Sequence, residues 1–154
     1  MELTITPHIP GKVVQPFLPD NSIYEMLGEE GIRNMISYFY DLLIKSDIKH
    51  LFPVDKEKFL EAKQRAADFI IQRFGGPDYY NQRWGKPLLV KRHAPFEITA
   101  EGRITWLKCY QQALLKQPLP EKVLLDYWRF IDEFSLRMVN SPAQNTFSRL
   151  KVAK

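Results

Sequence analysis

Pro87-Leu88-Leu89-Val90-Lys91-Arg92-His93-Ala94-Pro95-Phe96-Glu97-Ile98 is the stretch on which the reading of this chain turns. Proline suits a first helical turn, and the residue before a proline is biased out of helix. The two prolines therefore bracket one short helical piece, Leu88 to Ala94, with His93 near its end. A lone histidine is more often structural than a ligand. Here, however, the backbone is restrained on both sides of a potential metal ligand. That arrangement makes the flanking sequence worth reading for a pocket.

Upstream, a helix is expected from Asp55, as cap, to Phe74. Phe59, Ala62, Ala66, Phe69, Ile70 and Arg73 share one face. Gly75-Gly76-Pro77 stops it, and Asp78 to Lys86 has no period and reads as loop. Further back, Ser22 and Glu25 have capping-box spacing and open a short helix to Gly28. The next runs from about Glu30 to Ser46, with Ile32, Met35, Ile36, Phe39, Tyr40 and Leu43 at helical spacing. Ser46-Asp47 and Phe52-Pro53 frame a turn region.

Downstream, Thr99 caps a helix reaching about Lys116, bearing Ile104, Trp106, Leu107, Tyr110, Ala113 and Leu114. Pro118-Leu119-Pro120 turns the chain into a last helix from Glu121 to about Val139. Its face is Leu124, Tyr127, Ile131, Phe134 and Met138. No strand pattern competes. The class is all-α with about six helices, the last two pairing antiparallel. Residues 1–20 hold Pro7, Pro10, Pro16 and Pro19 and read as an extended arm, which Ile5, Ile9, Val13, Val14, Phe17 and Leu18 can pin to the body. Residues 21–142 form the domain, and 143–154 a polar, mobile tail.

With 154 residues, 45% of them hydrophobic, the chain suits one domain with one core. The net charge of +4 is spread among acidic residues, which favours a solvated mixed surface over nucleic-acid binding. The single cysteine, Cys109, rules out an intramolecular disulfide and fits a reducing cytoplasm. No signal peptide is visible, and no apolar run approaches the roughly 18 residues of a membrane span. One cysteine and three dispersed histidines do not make a zinc site. Cys109 lies within a helix, where a small buried thiol is the commoner role than a nucleophile. Gly75-Gly76 follows a helix and lacks the Gly-Lys-Ser/Thr ending of a phosphate loop.

Phe74-Gly75-Gly76-Pro77-Asp78-Tyr79-Tyr80 resembles the glycine-pair stretch of truncated haemoglobins. Lys91 to Ile98, then Trp106-Leu107, resembles the proximal motif of group II of that family. Phe39-Tyr40 and Leu51-Phe52-Pro53 resemble its distal pair and corner. The motifs agree in order and spacing over about residues 22–142.

The resemblance implies a two-over-two helical sandwich, the truncated globin fold, around one haem b. It implies His93 as proximal iron ligand and Tyr40 and Trp106 as the distal ligand-stabilising pair. Phe52 would pack on the haem face, and Arg65, Arg92 and Tyr80 would meet propionates. Ala66, Phe69, Phe96 and Ile98 would line the apolar pocket. Small Ala62 and Ala66 would leave a roomy distal side with no histidine gate.

A neutral imidazole is a good haem ligand, and the Leu89 carbonyl, one turn earlier, is placed to accept from its other nitrogen. Tyr40 and Trp106 offer a hydroxyl and an indole donor to a polar diatomic ligand. Two charge-assisted bonds of about 1.5–3 kcal/mol each would slow ligand release by a hundredfold or more. A pocket with such grip suits redox use of oxygen, with nitric oxide or peroxide as co-substrate, better than bulk delivery. Carbon monoxide is a further expected ligand. A dioxygenase or peroxidase-like activity would draw electrons from a separate reductase, since no flavin or nicotinamide motif is present. The alternatives are an oxygen or nitric oxide sensor or store without turnover, and a haem-free helical domain acting through protein contacts. A cytoplasmic monomer or homodimer, with no nucleic-acid or membrane partner, completes the expectation.

Overall fold

Gly28 sets the shape of the first helix. Its φ of 69° and ψ of 176° fall outside the helical region, so α1, Ser22–Leu43, is two helical pieces joined by a kink. Positive φ costs a glycine little, whereas a side chain there meets its own backbone. The two helices expected on either side of Gly28 are thus joined end to end. The computed structural model describes residues 2–141, and the tail expected over 143–154 lies outside them. After α1 come a single 3₁₀ turn at Lys49–Leu51, α2 at Lys56–Arg73, α3 at Tyr79–Trp84, α4 at Leu89–His93, α5 at Ala100–Leu115 and α6 at Glu121–Leu136. Among the described residues there is no strand.

Two antiparallel pairs build the core. Arg33 and Asp41 of α1 reach Asp68 and Lys63 of α2 respectively, at 2.8 Å each, so the helices run in opposite directions. In the second pair Arg103 meets Asp132, near the start of α5 and the end of α6, while Tyr110 meets Tyr127 in the middle. α1 also packs on α5 and joins the pairs. Ile32, Met35, Ile36, Phe39 and Leu43 of α1 are buried against Ile70 and Ile71 of α2 and Leu107, Tyr110 and Leu114 of α5. Burying each such side chain stabilises the fold by about 1.5–3 kcal/mol.

Caps and stops explain the boundaries. Asp55 caps α2, accepting from the Lys58 N–H at 3.0 Å, and Thr99 caps α5, accepting from the Gly102 N–H at 2.9 Å. At the end of α2 the Gly76 N–H donates to the Ile71 carbonyl at 2.8 Å and the Gly75 N–H to that of Gln72 at 3.3 Å. This is the Schellman pattern, with Gly75 at φ 98° in the left-handed position. A Cβ on Gly76 would stand 2.6 Å from Ile71 and 2.7 Å from Tyr24, so α1 and the end of α2 approach too closely for any other residue.

Several sequence expectations need correcting. Ser22 does not form a capping box: its N–H and hydroxyl both donate to Asp20, and Asn21 occupies the cap position. Arg73 is exposed and Ile71 fills the interior in its place, because α2 is rotated to bury Asp68. Ile104 of α5 is 40% exposed, and Arg103 is buried beside it. The segment read as loop holds α3, which is too short to display a period. It is held by tertiary bonds: Arg83 and Trp84 donate to Asp68, and the Gln72 and Asn81 amides pair.

Half of the residues expected to pin the arm do not. Val14 and Phe17 are partly buried, Phe17 with Arg129 4.3 Å over its ring. Leu3 is buried, whereas Ile9, Val13 and Leu18 are exposed. Ile5 packs against the core as expected. Backbone bonds do the rest. The carbonyls of Leu3 and Thr4 accept from Gln111 and Trp128, each at 2.7 Å, and the Phe17 N–H donates to Glu133 at 2.7 Å. No helix among the described residues is long and apolar enough to cross a membrane.

Candidate functional site

Between the two helix pairs lies a largely apolar cavity of about 460 Å³. Its wall brings together every site residue singled out in the sequence: Tyr40, Phe52, Arg65, Ala66, Phe69, Tyr80, Arg92, His93, Phe96, Ile98 and Trp106. They come from α1, the corner after it, α2, α3, α4, the α4–α5 connection and α5. No local stretch of chain supplies more than a fraction of the wall.

His93 closes α4. Its Nδ1 lies 2.7 Å from the Leu89 carbonyl oxygen. A carbonyl only accepts, so Nδ1 carries the proton and Nε2 keeps a free lone pair. Burial holds the imidazole pKa below its ordinary value. The Leu89 bond opposes that shift, and Arg92 and Arg65 add to it. The group is therefore neutral near pH 7, the state a metal ligand requires. α4 itself buries none of its residues.

On the α1–α5 side Tyr40 packs edge-on against Phe52, ring centroids 5.5 Å apart, and tilts against Phe59 at 6.0 Å. Trp106 meets Phe39 at 5.4 Å and Tyr110 at 5.2 Å. Among the described residues neither the Tyr40 hydroxyl nor the Trp106 indole N–H has a hydrogen-bond partner. Other polar side chains nearby are paired: Tyr110 with Tyr127 at 2.7 Å, and Arg103 with Ser135, Thr6 and Asp132. Burial pushes the Tyr40 pKa up to about 12, with Arg65 pulling the other way, so its hydroxyl remains a donor at neutral pH.

Arg65 is loosely tied, 3.7 Å from Glu61 and 5.5 Å from the Trp84 ring. Arg92 is exposed on α4. Tyr80 is buried edge-on against Phe69 at 5.9 Å. The cavity wall also includes residues that the sequence reading did not select. His50 lines it from the turn Lys49–Leu51 while remaining exposed. Arg103 and Ser135 line it as part of a buried network. The signal for Arg103 was a charge at an otherwise apolar helix position; His50 offered none.

Residues 22–140 match the family model described as bacterial-like globin. The chain belongs to this family. It is 35% identical over 95 residues to the group 2 truncated hemoglobin of Bacillus subtilis, covering 61% of this chain and 70% of that one. It is 33% identical over 99 residues to group 2 truncated hemoglobin 3-1 of Lotus japonicus, of which it spans 58%, over 63% of its own length. Among solved structures, phosphate-bound Hell's gate globin IV superposes with a TM-score of 0.78 at 31% identity, covering 97% of this chain and 96% of that one. The group II truncated hemoglobin of Bacillus anthracis gives 0.71 at 29% identity, over 77% and 95%. The architecture is thus the truncated globin fold, with haem b as the cofactor of the family.

The cavity fits that group. It is largely apolar, as a porphyrin requires. It offers a neutral imidazole with one committed nitrogen on one helix, and guanidinium groups at Arg65 and Arg92. Two donors without hydrogen-bond partners among the described residues, Tyr40 and Trp106, stand on the same wall.

Proposed function

We propose that this globin binds oxygen and other diatomic ligands at ferrous haem held by His93, and uses them in redox chemistry more than in bulk oxygen delivery. The observation that supports this reading is the pair of unpartnered donors, Tyr40 and Trp106, on the same apolar wall as a histidine whose Nδ1 is committed to Leu89. Haem, when bound, supplies an iron that takes a diatomic ligand and exchanges electrons.

The chain's residues supply the rest. His93 Nε2 is the ligating atom, oriented by the Leu89 carbonyl. Arg65 and Arg92 provide positive charge for carboxylate groups of the cofactor. Phe52, Ala66, Phe69, Phe96 and Ile98 exclude water with apolar surface, and Tyr80 extends the wall. Tyr40 and Trp106 each hold a proton that a polar ligand accepts, so ligands that draw negative charge are retained longest. Slow release disfavours delivery. It favours reaction in place, such as oxidation of nitric oxide by oxygen and one electron to nitrate, or reduction of peroxide. Both draw electrons from a separate donor.

The test is a visible spectrum of the purified protein after haem addition, followed by oxygen-release kinetics and nitric oxide consumption with a reductant. A Soret band that His93→Ala abolishes, slow oxygen release and catalytic nitric oxide loss are the expected results. Fast release unaffected by Tyr40→Phe or Trp106→Phe would overturn the redox reading.

A further inference from the structure

α4 bears the proposed iron ligand, yet it buries no residue and packs closely on no other helix. Its last carbonyls lack intrahelical partners, as at any helix end. Pro95 deepens the deficit because it has no N–H to give. The His93 carbonyl accepts from the Phe96 N–H at 3.0 Å, and further partners come from the far end of the chain. The Asn140 amide nitrogen donates to the His93 carbonyl at 3.2 Å and to the Phe96 carbonyl at 2.8 Å. Its amide oxygen accepts from the Ile98 N–H at 2.9 Å, and its backbone N–H donates to the Ile98 carbonyl at 3.0 Å. One residue beyond α6 thus clasps the backbone from His93 to Ile98 in four places. The amide orientation is unambiguous: its nitrogen faces two carbonyls and its oxygen faces an N–H.

We infer that Asn140 is a positioning residue that holds the His93-bearing segment in register with α6, and so sets the strength of the bond His93 makes to iron. The inference rests on the haem reading given above. Phe96 and Ile98 line the cavity on the same short stretch, so the clasp also places two wall residues. The core does not depend on it, since Asn140 is exposed and the α5–α6 pair is held by buried contacts.

The test compares Asn140→Ala and Asn140→Asp with the parent protein. The aspartate keeps an acceptor for Ile98 but loses both donations and sets a carboxylate against two carbonyls. A parent protein without a Soret band defeats the haem reading itself. Given that band, haem transfer to a scavenging apoglobin is expected to be about tenfold faster or more in both variants, since the aspartate loses two hydrogen bonds and the alanine three. The iron–histidine stretching band of the ferrous form is expected to shift. In the haem-free proteins, amide exchange at Ile98 is expected to rise while protection of α5 and α6 holds. Parent-like haem retention and an unshifted band would overturn the inference. So would a general loss of α5 and α6 protection, which would make Asn140 a residue of the fold alone.

Discussion

The Nδ1 atom of His93 lies 2.7 Å from the carbonyl oxygen of Leu89, one helical turn earlier on α4. This single contact selects the tautomer and points the remaining lone pair away from its own helix. In His93→Gly, imidazole from solution can replace the side chain and still donate to Leu89, whereas 1-methylimidazole cannot. Titration of the Soret band is expected to show 1-methylimidazole binding about three- to tenfold more weakly, the worth of one hydrogen bond. Equal affinities would remove the role given to Leu89.

Tyr40 and Trp106 reach the cavity from α1 and α5, and among the described residues neither the hydroxyl nor the indole N–H has a hydrogen-bond partner. Tyr40→Phe and Trp106→Phe are each expected to speed oxygen release about tenfold or more, measured by stopped-flow displacement. Carbon monoxide, a weaker acceptor, is expected to respond less to either change.

Arg103 and Asp132 form an ion pair that is almost wholly buried, with side chains 2% and 9% exposed. Burial lowers the Arg103 pKa and Asp132 opposes that shift. Thr6 of the arm adds its N–H and hydroxyl to the same carboxylate. Arg103→Met leaves a buried carboxylate without its countercharge and is expected to cost about 3–5 kcal/mol in urea unfolding. Adding Asp132→Leu is expected to recover part of that loss, because the stranded charge is gone.

Two buried tyrosines, Tyr110 and Tyr127, and the partly buried Tyr40 make the fold sensitive to alkali. Burial pushes Tyr40 to about 12 and raises Tyr110 and Tyr127 as well; the hydrogen bond from Tyr127 opposes the rise at Tyr110, and Tyr110 adds to it at Tyr127. The unfolded chain releases these protons near pH 10, before the native state does. Their contribution is therefore complete below about pH 10 and is lost as pH rises toward the native values. Urea midpoints measured from about pH 9 to pH 11 are expected to fall, and Tyr110→Phe with Tyr127→Phe to flatten that fall.

The structure bears out the helices read from about Glu30 to Ser46, Asp55 to Phe74 and Glu121 to about Val139, ending them at Leu43, Arg73 and Leu136, because a 3.6-residue period survives wherever one face is continuously buried. The residues named from the resemblance to the family motifs all line one space, while His50, Arg103 and Ser135 on the same wall were not among them. α3 was not legible. Six residues show no period, and that helix exists because Asp68, a buried carboxylate, needs donors from Arg83 and Trp84. Nor does spacing disclose that Asp68 is interior; Arg103 stands at an apolar position of α5, yet a charge enters the core only when distant partners neutralise it.

By itself, then, the sequence determined the all-α class, the helix stops at the glycine pair and the prolines, and His93 as a histidine set between two backbone restraints. These depend on neighbours along the chain, where φ limits and side-chain period act directly. The tertiary structure alone decided which donors remain without partners, how the arm binds through its carbonyls, and that Asn140 closes over the segment His93 begins. Hydrogen bonds between residues 42 to 126 positions apart leave no periodic trace. They form only after the apolar faces have packed and brought those groups into reach.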